Sequence, residues 1–295
     1  MTFEKKLHSR TQESVNGDII DALLCVGQYL PRGNLLATMT ITFDDPPLNE
    51  VALGKVFLPR PDFLIPYFGA FWELVREEFP KVGHAPPIIG QQSGESGTVE
   101  LLALPLPRVW LLSDDSVRLI QLQQNRFHYN WRKAAEDVEY PRFAAVQKDC
   151  SRLWELFESF VDERTGQPLQ LVHSELTYVN LIDVEDSESP FAAAERVLRD
   201  PAWTDSNRFL PRPAGFSHSY SFEVPDDVGV LNVSTLSIHK RDGGKALRLE
   251  LTIQSKQHEG MSFDEWSNRA HDFLVAAFKD LTAPEMHKVW KLRGD

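Results

Sequence analysis

One apolar pattern occurs twice in this chain at a fixed spacing, and it limits the fold more than any other feature. Phe143, Val146, Cys150, Leu153, Trp154, Phe157 and Val161 step by 3 and 4, as one face of a helix does. Phe263, Trp266, Ala270, Phe273, Leu274, Ala277 and Leu281 repeat the pattern at a constant offset, 263 − 143 = 120 and 281 − 161 = 120. The segment Phe127–Trp131 moves by the same offset onto Leu247–Leu251. Upstream, Asp114-Asp115 matches Asp226-Asp227 at 226 − 114 = 112, and a longer hairpin tip at Ser237–Lys245 accounts for the difference, 120 − 112 = 8. A repeat of this length predicts two copies of one supersecondary unit.

Each copy reads β-α-β-β-β-α. The predicted class is α+β, with meander strands in antiparallel sheets and a long helix packed on each. The organisation expected is an N-terminal extension over 1–45, a first unit over 46–166 and a second over 167–295. Within the extension, Asp18–Tyr29 is expected to be a short helix and Leu35–Phe43 a strand, before Asp44-Asp45-Pro46-Pro47 breaks the chain. The first unit opens with a strand at Val51–Leu58. A helix capped by Asp62 and carrying Phe63 to Phe79 follows, then a loop over Gly83–Gly97. Three strands come next, at Val99–Leu104 or Val109–Leu112, Val117–Leu122 and Arg126–Trp131, before the helix from Arg142 to Asp162. The second unit runs from a strand at Leu171–Ile182 through a helix at Pro190–Arg199 to three more strands. Its last helix begins at Ser262, with Glu265 three residues on as a capping box.

Hydrophobic residues make up 42% of the 295, enough for a large core, and no window approaches the ~18 consecutive apolar residues of a membrane span. Met1-Thr-Phe-Glu-Lys-Lys lacks the apolar stretch of a secretory signal. Cys25 and Cys150 form neither a disulfide framework nor a metal spacing, and Cys150 falls on the helix stripe as a small core residue. A cytoplasmic protein is expected. A net charge of −12 argues against a general nucleic-acid binder, which needs a basic face for phosphates.

Four segments carry a resemblance. Pro46-Pro-Leu-Asn-Glu-Val51, Leu119–Arg132 (Leu-Ile-Gln-Leu-Gln-Gln-Asn-Arg-Phe-His-Tyr-Asn-Trp-Arg), Tyr140-Pro-Arg-Phe143 and Leu176–Ile182 together resemble a sporadically distributed, largely uncharacterised prokaryotic family. The resemblance spans about residues 45–285 and implies a protein of this size with no established activity. The family's patchy distribution points towards mobile or defence-related gene neighbourhoods. The repeated unit is also similar to the saddle of TATA-binding proteins and to helix-grip ligand-binding folds, a likeness of fold only.

The usual catalytic signatures are absent: no phosphate loop, no Gly-x-Ser-x-Gly elbow, no His-Glu-x-x-His and no Cys-x-x-Cys. Gly90–Gly97 reads as a loop. His173 and Glu175 share one face of a strand but want a third ligand, so no metal or other cofactor is expected. His218 lies between two serines without a carboxylate partner, and the Asp pairs sit where turns belong. The best candidate surface is the Arg126–Arg132 strand. Arg126, His128, Asn130 and Arg132 alternate with Phe127, Tyr129 and Trp131, leaving a row of donors opposite the core face. Tyr178 and Asn180 share a face on the next unit's first strand and are expected to join that row.

The function expected is therefore a non-enzymatic binding or interaction protein whose partner is another protein, of the kind that forms a partner subunit in a defence or toxin–antitoxin-type system. Two alternatives remain. One is a hydrolase or nuclease with a dispersed active site, which requires His128, His173, Glu175 and the Asp pairs to converge. The other is a nucleic-acid-binding protein using a sheet face.

Overall fold

The computed structural model describes residues 41–60, 62–87, 106–185, 188–200, 209–211, 213–240, 243–256 and 260–294. The elements in chain order are β1 (Thr42–Phe43), β2 (Leu48–Phe57), α1 (Ile65–Val75), β3 (Lys81–Ala85), β4 (Arg108–Leu112), β5 (Arg118–Gln123), β6 (Arg126–Arg132) and α2 (Phe143–Thr165). They continue with β7 (Leu171–Val184), α3 (Pro190–Val197), β8 (Ser217–Val224), β9 (Gly229–His239), β10 (Lys245–Gln254), α4 (Phe263–Leu281), α5 (Pro284–Val289) and β11 (Leu292–Arg293). The expected helix at Asp18–Tyr29, most of the strand at Leu35–Phe43, the alternative strand at Val99–Leu104 and the loop Gly90–Gly97 lie outside the described residues.

The fold is α+β. Nine strands form one antiparallel sheet in the order β3-β4-β5-β6-β2-β7-β10-β9-β8, and β1 pairs separately with β11. The two sheets expected for the two units are halves of this one sheet, joined where β2 pairs with β7. Each half places its opening strand beside its last meander strand, β2 beside β6 and β7 beside β10. The first half carries the additional edge strand β3, where a loop was expected.

Phe127, Tyr129 and Trp131 of β6 point to the helix side. Phe127 packs on Trp154 and Phe157 of α2, with centroids 5.7 and 5.2 Å away. Leu247, Leu249, Leu251 and Ile253 of β10 supply the matching buried face. Along the helices, Val146, Cys150 and Trp154 correspond to Trp266, Ala270 and Leu274, and all six are buried. Beyond these the stripes part: α2 buries Phe157, Phe160 and Val161, whereas α4 turns Phe278 inward and leaves Phe273 half-buried. The neighbours explain this. Phe160 packs against Phe71 of α1, while Phe278 meets Phe43 of β1 and Trp290 after α5.

The two long helices touch. Gln147 donates to the Asp264 carbonyl and to Ser267 Oγ (2.9 and 2.8 Å), and Ser151 donates to Asp264 (3.0 Å). Beneath them the buried Lys55 ammonium lies 4.4 Å from the centroids of both Trp154 and Phe263, clamping α2 to α4 through cation–π contacts.

Local signals explain the ends of the elements. Ser262 accepts from Glu265 N–H and starts α4 as the capping box requires. Asp62 does not cap α1; it pairs in bidentate fashion with Arg60 (2.8 and 2.6 Å), and Leu64 takes the cap position ahead of Pro66. Both Asp pairs are turn residues. Asp115 accepts from Ser113 and from Val117 N–H, and Asp226 and Asp227 each adopt φ 56°, the left-handed geometry that Asp tolerates better than most. Among the described residues no helix is long and apolar enough to cross a membrane.

Candidate functional site

The row of donors on β6 is used within the fold. Arg126, His128 and Asn130 are 8%, 7% and 1% exposed. Glu175 of β7 gathers the first two: Arg126 Nη1 donates to Oε2 at 3.1 Å and His128 Nε2 to the same oxygen at 2.9 Å. The other oxygen accepts from His173 Nε2 and Gln254 Nε2, both at 2.9 Å. A carboxylate can only accept, so both imidazoles carry their proton on Nε2. Burial alone would push the Glu175 carboxyl up, but bonds from His128 and His173 and the charges of His128 and Arg126 outweigh it and hold the carboxyl well below the ordinary range.

Gly54 makes this reach possible. It faces His128 on one side and Glu175 on the other in the strand register. β6 and β7 are therefore separated by a whole strand, roughly 10 Å, and His128 crosses it over the bare backbone of Gly54. A Cβ on Gly54 would stand 2.1 Å from the Phe127 carbonyl oxygen and 2.7 Å from His128 Cδ2. Asn130 joins a second chain on the same face, donating to Glu50 (2.5 Å) and accepting from Gln121, which in turn accepts from Trp110. Arg132 is half-buried, its guanidinium 5.9 Å from the Trp110 ring.

The His128, His173 and Glu175 side chains thus come together as the dispersed-site reading requires, but the Asp pairs do not, since they occupy hairpin turns. Burial raises the Glu50 carboxyl, opposite in direction to Glu175, which invites comparison with an acid–base pair. Distance weighs against that comparison. Glu50 is four residues along β2 from Gly54, the partner of Glu175, or roughly 13 Å along the strand, beyond the ~5–9.5 Å of carboxylates that share one reacting group. Among the described residues no three His, Cys, Asp or Glu side chains are grouped to hold a metal.

Tyr178 and Asn180 do share a face, but it is the helix side. Glu175 points to the far side, and 178 − 175 = 3, an odd step that reverses the side chain. Both residues line a cavity of about 310 Å³ where α2, α4 and the central strands meet. Pro46 and Leu48, Tyr140 and Arg142 to Ala144, Tyr178 and Asn180, Leu251, and Asn268, His271, Leu274 and Phe278 line it from five separate stretches of chain. Phe143, Leu251, Leu274 and Phe278 give it a buried apolar wall. A polar chain runs along the other wall: Tyr140 and Tyr178 hydroxyls lie 3.2 Å apart, and Tyr178 Oη lies 2.8 Å from His271 Nδ1. The His271 ring stacks on Phe143 at 4.4 Å and 9°.

Arg142 stands at the mouth, exposed, with φ 73° and ψ 155°. That region of backbone space is essentially reserved for glycine, and holding an arginine there costs about 1–3 kcal/mol. Its guanidinium donates to the Phe43 carbonyl at 3.3 Å. The segments that meet here are far apart in sequence, and of the lining residues only Tyr178 and Asn180 stand out in the sequence as site candidates. No family model matches the chain, and no curated protein matches it.

Burial lowers the pKa of His271 from 6.5 to about 4. Between those values the unfolded chain takes up a proton that the folded chain refuses. The stability tied to this residue is therefore complete above pH 6.5 and is lost as the pH falls towards 4. Urea titrations of His271→Gln should show a flatter loss of stability over that window than the wild type. Parallel curves for the two proteins would remove His271 from the account.

Proposed function

We propose that the protein is a non-enzymatic binding protein and that the cavity between α2 and α4 receives a small, largely apolar molecule. The observation that carries this reading is the half-open cavity itself. Five separate stretches of chain build one cavity with an apolar wall and a hydrogen-bonded polar track, the usual makeup of a small-molecule site. At about 310 Å³ it lies at the lower end of such sites, which run from about 300 to 1,000 Å³. The role suggested by the sequence resemblance, a partner subunit in a defence or toxin–antitoxin-type system, is compatible with a sensor that reports ligand occupancy to another protein. Binding at this seam touches both halves of the sheet, through Leu48 and Tyr178 of the central strands.

The enzyme reading draws on the meeting of His128, His173 and Glu175. Each of those imidazoles has its Nε2 directed at the carboxylate, which leaves that carboxylate with four donors and little capacity for a substrate. The nucleic-acid reading loses the use of Arg126, whose charge is paired inside the fold.

N-phenylnaphthylamine, an uncharged dye that brightens in apolar surroundings, tests the proposal. Saturable binding at one site is expected. Ala144→Trp, at an exposed position on the cavity lip, should weaken it by about tenfold, or 1.4 kcal/mol, without altering the fold. Absence of saturable binding, or equal binding by the variant, would sink the idea.

A further inference from the structure

We infer that the natural occupant of this cavity is a monoanionic amphiphile, a single carboxylate on an apolar chain or ring, with the carboxylate held at Arg142. The inference rests on the cavity being the ligand site and adds the charge of the ligand. The chain has 43 acidic residues against 31 basic ones, yet among the described residues the cavity lining contains no carboxylate and one permanently charged side chain, Arg142. Such a lining is the reverse of what the overall composition favours, and it selects for negative charge.

Arg142 is free to serve. Among the described residues it forms no ion pair, and the one hydrogen bond of its side chain goes to a neutral carbonyl. A guanidinium presents five donors in a planar fork matched to a carboxylate, so most of its capacity remains open at the mouth. The backbone fixes it there in a conformation that glycine alone would adopt without strain, immediately before α2. The start of α2 agrees: it has no side-chain cap and no acidic residue in its first turn, so no carboxylate of that turn competes with an anion for the guanidinium. One guanidinium suits one charge, while the walls formed by Phe143, Leu274 and Phe278 suit an apolar body. The deeper His271 and Tyr178 occupy each other, which leaves the mouth as the place for the charged group.

The test displaces N-phenylnaphthylamine from the full-length protein with decanoate, decanol and decyltrimethylammonium. Decanoate is expected to compete at concentrations about tenfold lower than decanol, with the cation weakest. Arg142→Gly is expected to raise the melting temperature by releasing the backbone strain, and to abolish the preference for the acid while leaving decanol unchanged. Equal competition by acid and alcohol in the wild type, or a preference that survives in Arg142→Gly, overturns the anionic assignment and leaves the apolar cavity standing. Failure of the dye itself to bind overturns the cavity reading instead.

Discussion

Replacing Glu175 with alanine is expected to destabilise the protein by about 3–5 kcal/mol, the range for breaking a buried ion pair by removing one partner. The size of the effect comes from what is left behind. Arg126 and His128 are less than a tenth exposed, and both lose their acceptor, as do His173 and Gln254. The guanidinium cannot shed its proton to escape. A second variant separates this penalty from the worth of the network. Removing Arg126, His128 and Glu175 together in favour of apolar residues should recover much of the loss, because no charge is then stranded. Urea midpoints measure both. A loss below about 1 kcal/mol for Glu175→Ala, within the range of exposed pairs, would mean the cluster is solvated. The network should also fail in acid: a carboxyl held low on folding gives stability that is full above its ordinary value of 4.5 and is lost as the pH falls through its folded value.

Truncation of Phe157 to alanine should cost a comparable amount, about 3–5 kcal/mol. The ring is 1% exposed and has five ring neighbours, Phe57, Phe63, Phe71, Phe127 and Trp154, with centroids between 5.2 and 6.1 Å. Rings from four different elements and a connecting loop cannot all collapse into the space it leaves. Phe273→Ala on α4 should cost about 1–2 kcal/mol, since the residue is half-buried and part of its area already meets solvent. Equal losses at the two positions would contradict the divergent helix stripes.

The contrast between Phe157 and Phe273 also shows how far the sequence could be read. Periodicity places both on the inward side of a helix, and Val146, Cys150 and Trp154 with their counterparts follow it. What periodicity lacks is the neighbour. Phe278 turns inward because Phe43 and Trp290 arrive there, and both lie outside the helix whose period is being read. β3 leaves no mark in the sequence for another reason. Lys81–Ala85 is short, contains Gly83 and has Val82 about half exposed, so no buried alternation marks it. The donors of β6 were visible as a row, but their acceptor lies 49 residues from Arg126 and depends on a strand register and on Gly54. The cavity was the least legible, since its walls become neighbours only once β2 pairs with β7 and α2 meets α4.

The pairing of β2 with β7 sets the order in which a nascent chain can protect itself. When α2 has been made, the five-stranded half ends on β2, a bare edge able to recruit any passing strand. The next strand to emerge, β7, is the one that covers it, only a short link beyond α2. β7 then becomes the open edge, and its own partner β10 begins 245 − 184 = 61 residues later. At synthesis rates of about 5–20 residues per second, that edge waits roughly 3–12 s. The stretch from 185 to 244 therefore sets how long the β7 edge stays open to other strands while the chain is being made.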